Sequence, residues 1–453
     1  MTKHLTIILT IIIASFTTLC HADVPTGSWR GELDLGRMKL PLVVNLSKDA
    51  GGNVSCTLDS PSQGVKGLAT TVELCTADSI SLTCSAIGAS YQGRVEGDAI
   101  KGVFNQRGHS FPLDLAPEAA MEERRPQTPR GPFPYTVVDT TFTTPDGAVM
   151  SATLSMPAAT GKKKVPAVVM VTGSGAQNRD EELFDHKPFA VIADYLARHG
   201  IASLRYDDRG FGKSTGDLAS ATTFTFKDDA ASGIRFLKSL DGIGKVGVLG
   251  HSEGGTIAFM LGASRLPDFI VSLAGAAVPA KEILLDQNGH ALEMLGLSGD
   301  DKENHLRLIS LMFDAAAEQA REGVSRPIDI DSLVAQSGIT ANPQIVASMK
   351  MNDRTRTPWF NTFVALNPME FLKKMKCPVL AINGDKDTQV NGPANLGVIE
   401  KTIPKAEIHL MPGLNHLMQH ADTGEMSEYS QISETISPEV LEIIADFINK
   451  KAR

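Results

Sequence analysis

Val246-Gly247-Val248-Leu249-Gly250-His251-Ser252-Glu253-Gly254-Gly255-Thr256 is the stretch that decides how the rest of the chain is read. Val246, Val248 and Leu249 form an apolar, strand-like run. The turn Gly250-His251-Ser252-Glu253-Gly254 follows, and residues 255–264 continue as a helix-like run of small and apolar side chains. A serine held between glycines where a strand hands over to a helix projects its hydroxyl from a tight, strained turn above a sheet. Gly250 and Gly254 carry no Cβ, so the strand and the helix can approach closely. Gly-x-Ser-x-Gly by itself is a weak signal. Its setting between strand and helix makes Ser252 the candidate nucleophile, against the plainer reading of a Gly-rich turn.

A serine nucleophile needs a base, and the base needs an orienting acid, in the chain order Ser, Asp or Glu, His. The apolar run 379–382 leads into Asn383-Gly384-Asp385-Lys386-Asp387, and the run 407–410 leads into Pro412-Gly413-Leu414-Asn415-His416. His416 is the candidate base and Asp387 the candidate acid. Asp385 competes for the second role, but Gly384-x-x-Asp387 gives the chain room to turn back. His416 and His420 also stand at metal-pair spacing, although Leu417 occupies the place where a zincin-type site requires Glu; no metal site is expected. Two backbone N–H groups are expected to form an oxyanion hole, that of Glu253 and that of Ser174 in the loop 172–180 after the apolar run 167–171. The Glu253 side chain needs no more than the favourable field of a helix N-terminus. The charge-dense stretch 205–214, Arg-Tyr-Asp-Asp-Arg-Gly-Phe-Gly-Lys-Ser, reads as an ion-pair network bracing the serine turn, with an anion site as the alternative.

Around these residues the chain divides. Its 453 residues suffice for two or three domains, and 42% hydrophobic with 21% charged residues is an ordinary globular balance. A net charge of −9 without a long basic run speaks against a nucleic-acid surface. Residues 1–22 read as a cleaved signal peptide: Lys3, an apolar core over 5–19, and Cys20-His21-Ala22. That core is short for a stable membrane span, and the expected destination is a bacterial periplasm or the exterior. Residues 24–115 show short alternating strands and turn signals, which predict a small all-β, barrel-like domain. Packing, dimerisation or support of the rest of the chain are its expected roles, and ligand binding is a further one. Cys75 and Cys84 flank a short Thr-Ala-Asp-Ser segment and a strand-like run, so a cross-strand disulfide is one reading and buried free thiols the plainer one. Residues 116–134, with Pro117, Pro126, Pro129, Pro132 and Pro134 around Glu122-Glu123-Arg124-Arg125, predict an extended, solvated linker. From residue 135 two strands and then strand–helix alternation predict a mostly parallel sheet covered on both faces. Helices are expected over 189–198, 227–240 and 438–450. Residues 277–366 interrupt the alternation and read as a helical cap, whose Met294, Met312, Met349 and Met351 form either an adaptable wall or simple packing.

Taken together, the Gly173–Gly175, Asp207–Gly212, Gly250–Gly255 and Gly413–His416 segments resemble the α/β-hydrolase superfamily. More narrowly they resemble secreted bacterial esterases and serine-aminopeptidase-like hydrolases, over about residue 135 to the C-terminus. Thr26-Gly27-Ser28-Trp29-Arg30-Gly31 and Leu58-Asp59-Ser60-Pro61-Ser62-Gln63-Gly64 resemble the lipocalin-like β-domain that precedes some of them. Thr172 departs from the His that many such relatives carry. The resemblance implies an α/β-hydrolase fold with a helical cap, hydrolysis of a small-molecule carboxylic ester through an acyl-enzyme, and no cofactor. A peptidase or amidase of the same fold is the second reading, and a binding protein with a degenerate hydrolase domain is the third.

Overall fold

The structure is a computed structural model that describes residues 24–34, 39–49, 51–60, 65–118, 125–158 and 164–452. The expected signal peptide, Cys20 included, lies outside the described residues. The chain forms two compact units, one built mainly from residues before 118 and the other from Glu118 onward.

The first unit is antiparallel β. Its strands are β1 (Gly27–Asp34), β2 (Lys39–Lys48), β3 (Val54–Ser60), β4 (Val65–Cys75), β5 (Ser79–Cys84), β6 (Ala89–Glu96), β7 (Ala99–Gln106), β8 (His109–Pro112) and β9 (Ala116–Pro117). From β1 to β8 each strand lies beside its predecessor, and β9 returns to pair with β1 through Arg30 and Ala116. Between β8 and β9, Leu113 and Leu115 bond to Gly102 and Ile100 of β7, so one continuous segment serves both ends of the sheet. Period-two alternation turns Val44, Cys56, Leu58, Leu82, Tyr91 and Phe104 inward. They leave a void of about 20 Å³, room for one water and no larger ligand. The sequence reading missed β4, because none of its residues is fully buried and no apolar face marks it. The Cys75–Cys84 disulfide is not formed, and the free-thiol reading holds. Cys75 pairs with Ile80 at one end of the β4–β5 ladder while Cys84 ends β5 at the other, and all four described cysteines are free thiols.

The second unit holds an eight-stranded sheet in the order β10-β11-β13-β12-β14-β15-β16-β17. The strands are β10 (Thr136–Thr143), β11 (Val149–Met156), β12 (Val165–Val171), β13 (Ala202–Tyr206), β14 (Ile243–His251), β15 (Ile270–Leu273), β16 (Val379–Gly384) and β17 (Glu407–Met411). β10 and β11 are antiparallel, and the pairs from β13 through β17 are parallel. One face packs on α1 (Pro188–Arg198) and α11 (Pro438–Ala452), through Phe189, Ile192, Phe269, Ile444 and Phe447. The other packs on α2 (Thr223–Ser239), α3 (Glu253–Ala263) and α10 (Gly392–Thr402), through Phe226, Ile234, Ile257, Phe259 and Leu396. Each such side chain stabilises by roughly 1.5–3 kcal/mol on burial. Helix α2 begins earlier than the apolar pattern suggested, because Thr222 and Thr225 form a capping box in which Thr225 stands where Glu or Gln is usual.

From β12 the chain steps to β13 on one side, then crosses back to β14 on the other. This reversal opens a crevice at the carboxyl ends of β12 and β14, where open α/β sheets bind ligands. Between β15 and β16 the chain forms α4 (Ala280–Met294), α5 (Gly299–Glu322), α6 (Ile330–Ser337), α7 (Pro343–Met351), α8 (Pro358–Val364) and α9 (Met369–Leu372). The first five share a separate core of Leu292, Ile309, Phe313, Ile330 and Phe360. Met312 is buried there and Met349 packs against it, whereas Met294 and Met351 face solvent at 68% and 81% exposure. Part of the expected linker is anything but solvated. Arg125 is buried and donates to the carbonyls of Ile432, Phe184 and Ser430, each at 2.9 Å, and Gln127 bonds the backbone at Thr435 and Ile436. The carbon-rich stem and five donors of Arg125 suit carbonyl groups at a loop junction as well as they suit water.

The glycines at the serine turn are sterically required. A Cβ on Gly254 would lie 2.1 Å from the Val171 carbonyl oxygen, and one on Gly250 would lie 2.0 Å from that of Gly254. Gly254→Ala is expected to collapse the yield of folded protein. Gly397→Ala in α10, where a Cβ meets nothing within 4 Å, should raise stability by about 0.5–1 kcal/mol. Thermal denaturation of the two variants checks the contrast.

Candidate active site

Ser252 sits at φ 54°, ψ −117°, a conformation sparsely used by any residue with a side chain. Its N–H donates to the Leu273 carbonyl at 2.9 Å, so the sheet holds the strained turn from the β15 side. On the β12 side the loop after Val171 approaches so closely that a Cβ on Gly173 would meet the Ser252 Cβ at 3.3 Å. That loop carries Ser174, which is exposed, and Glu253 opens α3 with a buried side chain. The backbone N–H groups of both residues stand at the loop and helix ends that flank the Ser252 turn.

The other two candidates come from the next strand ends. Asp387 follows β16 and His416 follows β17, and His416 Nδ1 lies 2.8 Å from Asp387 Oδ2. The second oxygen of Asp387 accepts from the N–H groups of Gln389 and Val390, both at 2.8 Å, which fixes the carboxylate plane. Asp385 turns elsewhere and accepts from Gly413 N at 2.6 Å. His420 is exposed and bonds Glu434 at 2.9 Å. Ser252 Oγ has no hydrogen-bond partner among the described residues in this conformation; in ligand-free hydrolytic sites such bonds are often loose and tighten with substrate.

Several buried residues around this constellation were not assigned from sequence. Glu253 is a hub: its carboxylate accepts from Thr223 Oγ1 at 2.7 Å and from Trp359 Nε1 on α8 at 3.0 and 3.1 Å. Burial pushes this carboxyl above its ordinary range, against the hydrogen bonds of Thr223, Trp359 and Ser174. The helix-dipole reading of Glu253 is therefore incomplete, because the residue also ties the cap to the serine turn. Asn395 on α10 holds the start of the cap, accepting from Ala277 N at 2.7 Å and Val278 N at 3.1 Å. His251 bonds Glu181 at 2.8 Å and the His416 carbonyl at 3.0 Å. His251 was visible in the motif, but nothing in the sequence tied it to a residue 70 positions away.

Arg205, Asp207, Asp208 and Arg209 of the charged stretch are buried in an internal network, as that reading expected, while Lys213 is exposed. Arg179 clamps Asp207 through two bonds of 2.9 and 2.8 Å, and Arg209 clamps Asp229 at 2.8 and 2.5 Å. Asp208 accepts from Thr172 Oγ1 at 2.9 Å and Gln177 N at 2.8 Å, and so anchors both ends of the loop that carries Ser174.

Strand order, reversal point and serine turn together are those of an α/β-hydrolase. Residues 146–413, more than half of the sequence, match the model of the X-Pro dipeptidyl-peptidase family S15, and the chain belongs to that family. It is also 33% identical over 143 residues to the esterase EstD of Thermotoga maritima, a match that covers 32% of this chain and 34% of that esterase. Solved structures similar to it include Est1E from Butyrivibrio proteoclasticus, with a TM-score of 0.42 and 18% identity over 69% of this chain and 98% of that one. The Pyrococcus furiosus esterase Pf2001 is similar at a TM-score of 0.43 and 14% identity, over 70% of this chain and 92% of that one.

Burial pushes the Asp208 carboxyl up to about 8, despite the bonds it accepts from Gln177 and Thr172. The folded chain thus retains a proton that the unfolded chain has lost between about pH 4 and pH 8, and the stability from this group falls as pH rises through that window. Asp208→Asn keeps an acceptor oxygen without the titration. Its melting temperature should decline less than that of the unmodified protein between pH 5 and pH 8; equal slopes would contradict the assignment. Trp359→Phe, which strips a donor from the buried Glu253, should cost about 1–3 kcal/mol in denaturant unfolding.

Proposed function

We propose that the protein is a serine carboxylesterase that hydrolyses small or medium acyl esters through an acyl-enzyme on Ser252. The observation that carries this reading is the buried His416–Asp387 pair at 2.8 Å after β17 and β16, with the His416 ring 4.8 Å from that of His251, the residue before the strained Ser252. His416 Nε2 takes the Ser252 proton as Oγ attacks the ester carbonyl. The oxyanion is held by the N–H groups of Glu253 and Ser174. His416 then protonates the departing alcohol. Water, deprotonated by His416, attacks the acyl-enzyme and releases the acid, and the proton returns to Ser252. Asp387 holds the imidazole tautomer and stabilises its cation, as in other triads. The esterase EstD match supports the ester preference.

Within the cap, α4, α5, α7 and α8 border an open cavity of about 750 Å³ whose walls mix Leu292, Ile309, Met312 and Phe313 with Gln287, Asn342 and Asn352, and neither Ser252, Asp387 nor His416 lines it.

The S15 family match favours a second reading, cleavage of a peptide or amide bond. A peptide substrate with a free amino end needs a carboxylate to receive it. Glu253, Glu181 and Asp387 are each already committed to donors within the protein. These three are therefore not free to receive it. We read residues 1–22 as a leader that exports the protein to a bacterial periplasm or beyond.

A panel of p-nitrophenyl esters of increasing chain length, beside matching anilides and X-Pro anilides, tests the proposal. Esters should be the faster class, with kcat reduced by about 10⁴-fold or more in Ser252→Ala. Faster X-Pro anilide cleavage would move the assignment to peptidase. Turnover independent of Ser252 would overturn the assignment of the nucleophile, and no turnover on any substrate would favour a binding protein with a degenerate site.

A further inference from the structure

Glu181 lies just beyond the loop read as the oxyanion loop, and it is 1% exposed. Its backbone is held at φ 53°, in the left-handed region that side chains disfavour. One carboxylate oxygen accepts from two directions: from the backbone N–H of Gly173 at 2.8 Å, and from His251 Nδ1 at 2.8 Å. The other ring nitrogen of His251 lies 3.0 Å from the His416 carbonyl oxygen, and the two imidazole rings stand 4.8 Å apart. A carbonyl oxygen only accepts, so His251 Nε2 carries a proton. Nδ1 faces a carboxylate oxygen already engaged as an acceptor, so it too faces as a donor. The ring is thus an imidazolium, paired with Glu181 inside the protein. Burial opposes charge on His251, but the adjacent Glu181 carboxylate outweighs it and holds the ring's proton more firmly than usual.

We propose that the Glu181–His251 ion pair is a positioning device, which sets the distance between the oxyanion loop at Gly173 and the base loop at His416. The inference rests on the reading of Ser252, His416 and Asp387 as the reacting groups. Gly173 precedes Ser174, the proposed donor, and its own N–H is turned away from substrate by Glu181. The same carboxylate, through His251, grips the backbone of the base. One rigid bridge, Gly173–Glu181–His251–His416, thus joins the two loops that must close on a tetrahedral intermediate together. A buried pair of this kind gains little stability over apolar residues of the same shape, and its worth lies in fixing geometry. The strained backbone at Glu181 fits that role, since strain persists where the surroundings over-determine it.

Such a bridge acts on the transition state more than on substrate binding. In Glu181→Gln the amide can still accept from Gly173 but cannot neutralise an imidazolium, so the bridge is broken at His251. The variant should lose kcat by about 10- to 100-fold, less than the 10²–10³ for deleting an oxyanion donor outright, with KM within about twofold. Affinity for an alkylboronic acid, a tetrahedral mimic, should fall in parallel. Glu181→Gln combined with His251→Phe should be no worse than His251→Phe alone. An unchanged kcat, or a rise in KM that accounts for the loss, would overturn the proposal. If Glu181→Gln does not fold, His251→Phe carries the same comparison, and failure of both to fold makes the pair a folding element and overturns the positioning role. Fluorophosphonate labelling separates the two levels: if the unmodified protein is not labelled at Ser252, the reading of the site itself fails, whatever Glu181 does.

Discussion

Backbone crowding at one junction governs the second unit. β12, β14 and α3 converge so tightly that Gly250 and Gly254 have no space for a Cβ, and the Val171 and Thr172 carbonyls fill the volume that a side chain at 254 would need. That contact lets the chain leave β14, turn within one strained residue and enter α3 without lifting off the sheet. It also brings the loop after β12 within van der Waals reach of Ser252. Loosening the junction by a single methyl group would separate the serine from the loop beside it, because close-packed interiors transmit displacement instead of absorbing it.

A close junction of this kind exposes polar backbone, and the structure answers with buried carboxyl groups hydrogen-bonded to their neighbours. Asp208 ties the β12 loop, Asp207 and Arg179 tie that loop to β11 and β13, and Glu253 ties the turn to Thr223 and Trp359. Each of these groups is costly to bury alone and is buried with partners. They lie at the carboxyl ends of the strands, whereas the cores on the two sheet faces are apolar almost throughout. The division follows from the topology, since the crevice at the reversal of strand order is where backbone groups lose their ladder partners.

Much of this was legible in the residues. Central strands buried on both faces read as short runs of Val, Ile, Leu and Ala, and the glycines and aspartates after them mark loops; hence the sequence alone puts Ser252, Asp387 and His416 at strand ends. What stayed hidden had no local signature. β4 lacks a buried face, and α2 is capped by threonines instead of the usual Thr–Glu pair. Arg125 reads as a solvated charge in a Pro-rich segment until the carbonyls of residues some 300 positions later surround it. Glu181 and Trp359 each act on the serine turn from 70 or more positions away, and contacts at that separation are written only in the fold. The cysteines point the same way: spacing suggested a bridge, while register puts the two thiols at opposite ends of their ladder.

The helical insertion leaves the sheet after β15 and rejoins it at β16, and these strands are adjacent and parallel, with Ile270 opposite Val379. Its two ends, at Leu273 and at Val379 opposite Ile270, are therefore pinned roughly 10 Å apart along neighbouring strands, whatever lies between them. Closing a longer excursion between fixed points costs only about 0.6 kcal/mol for each doubling of its length. The insertion also carries its own apolar core. It is thermodynamically a cassette: about a hundred residues of sequence can drift, lengthen or be exchanged wholesale while the strands that bracket it keep their register.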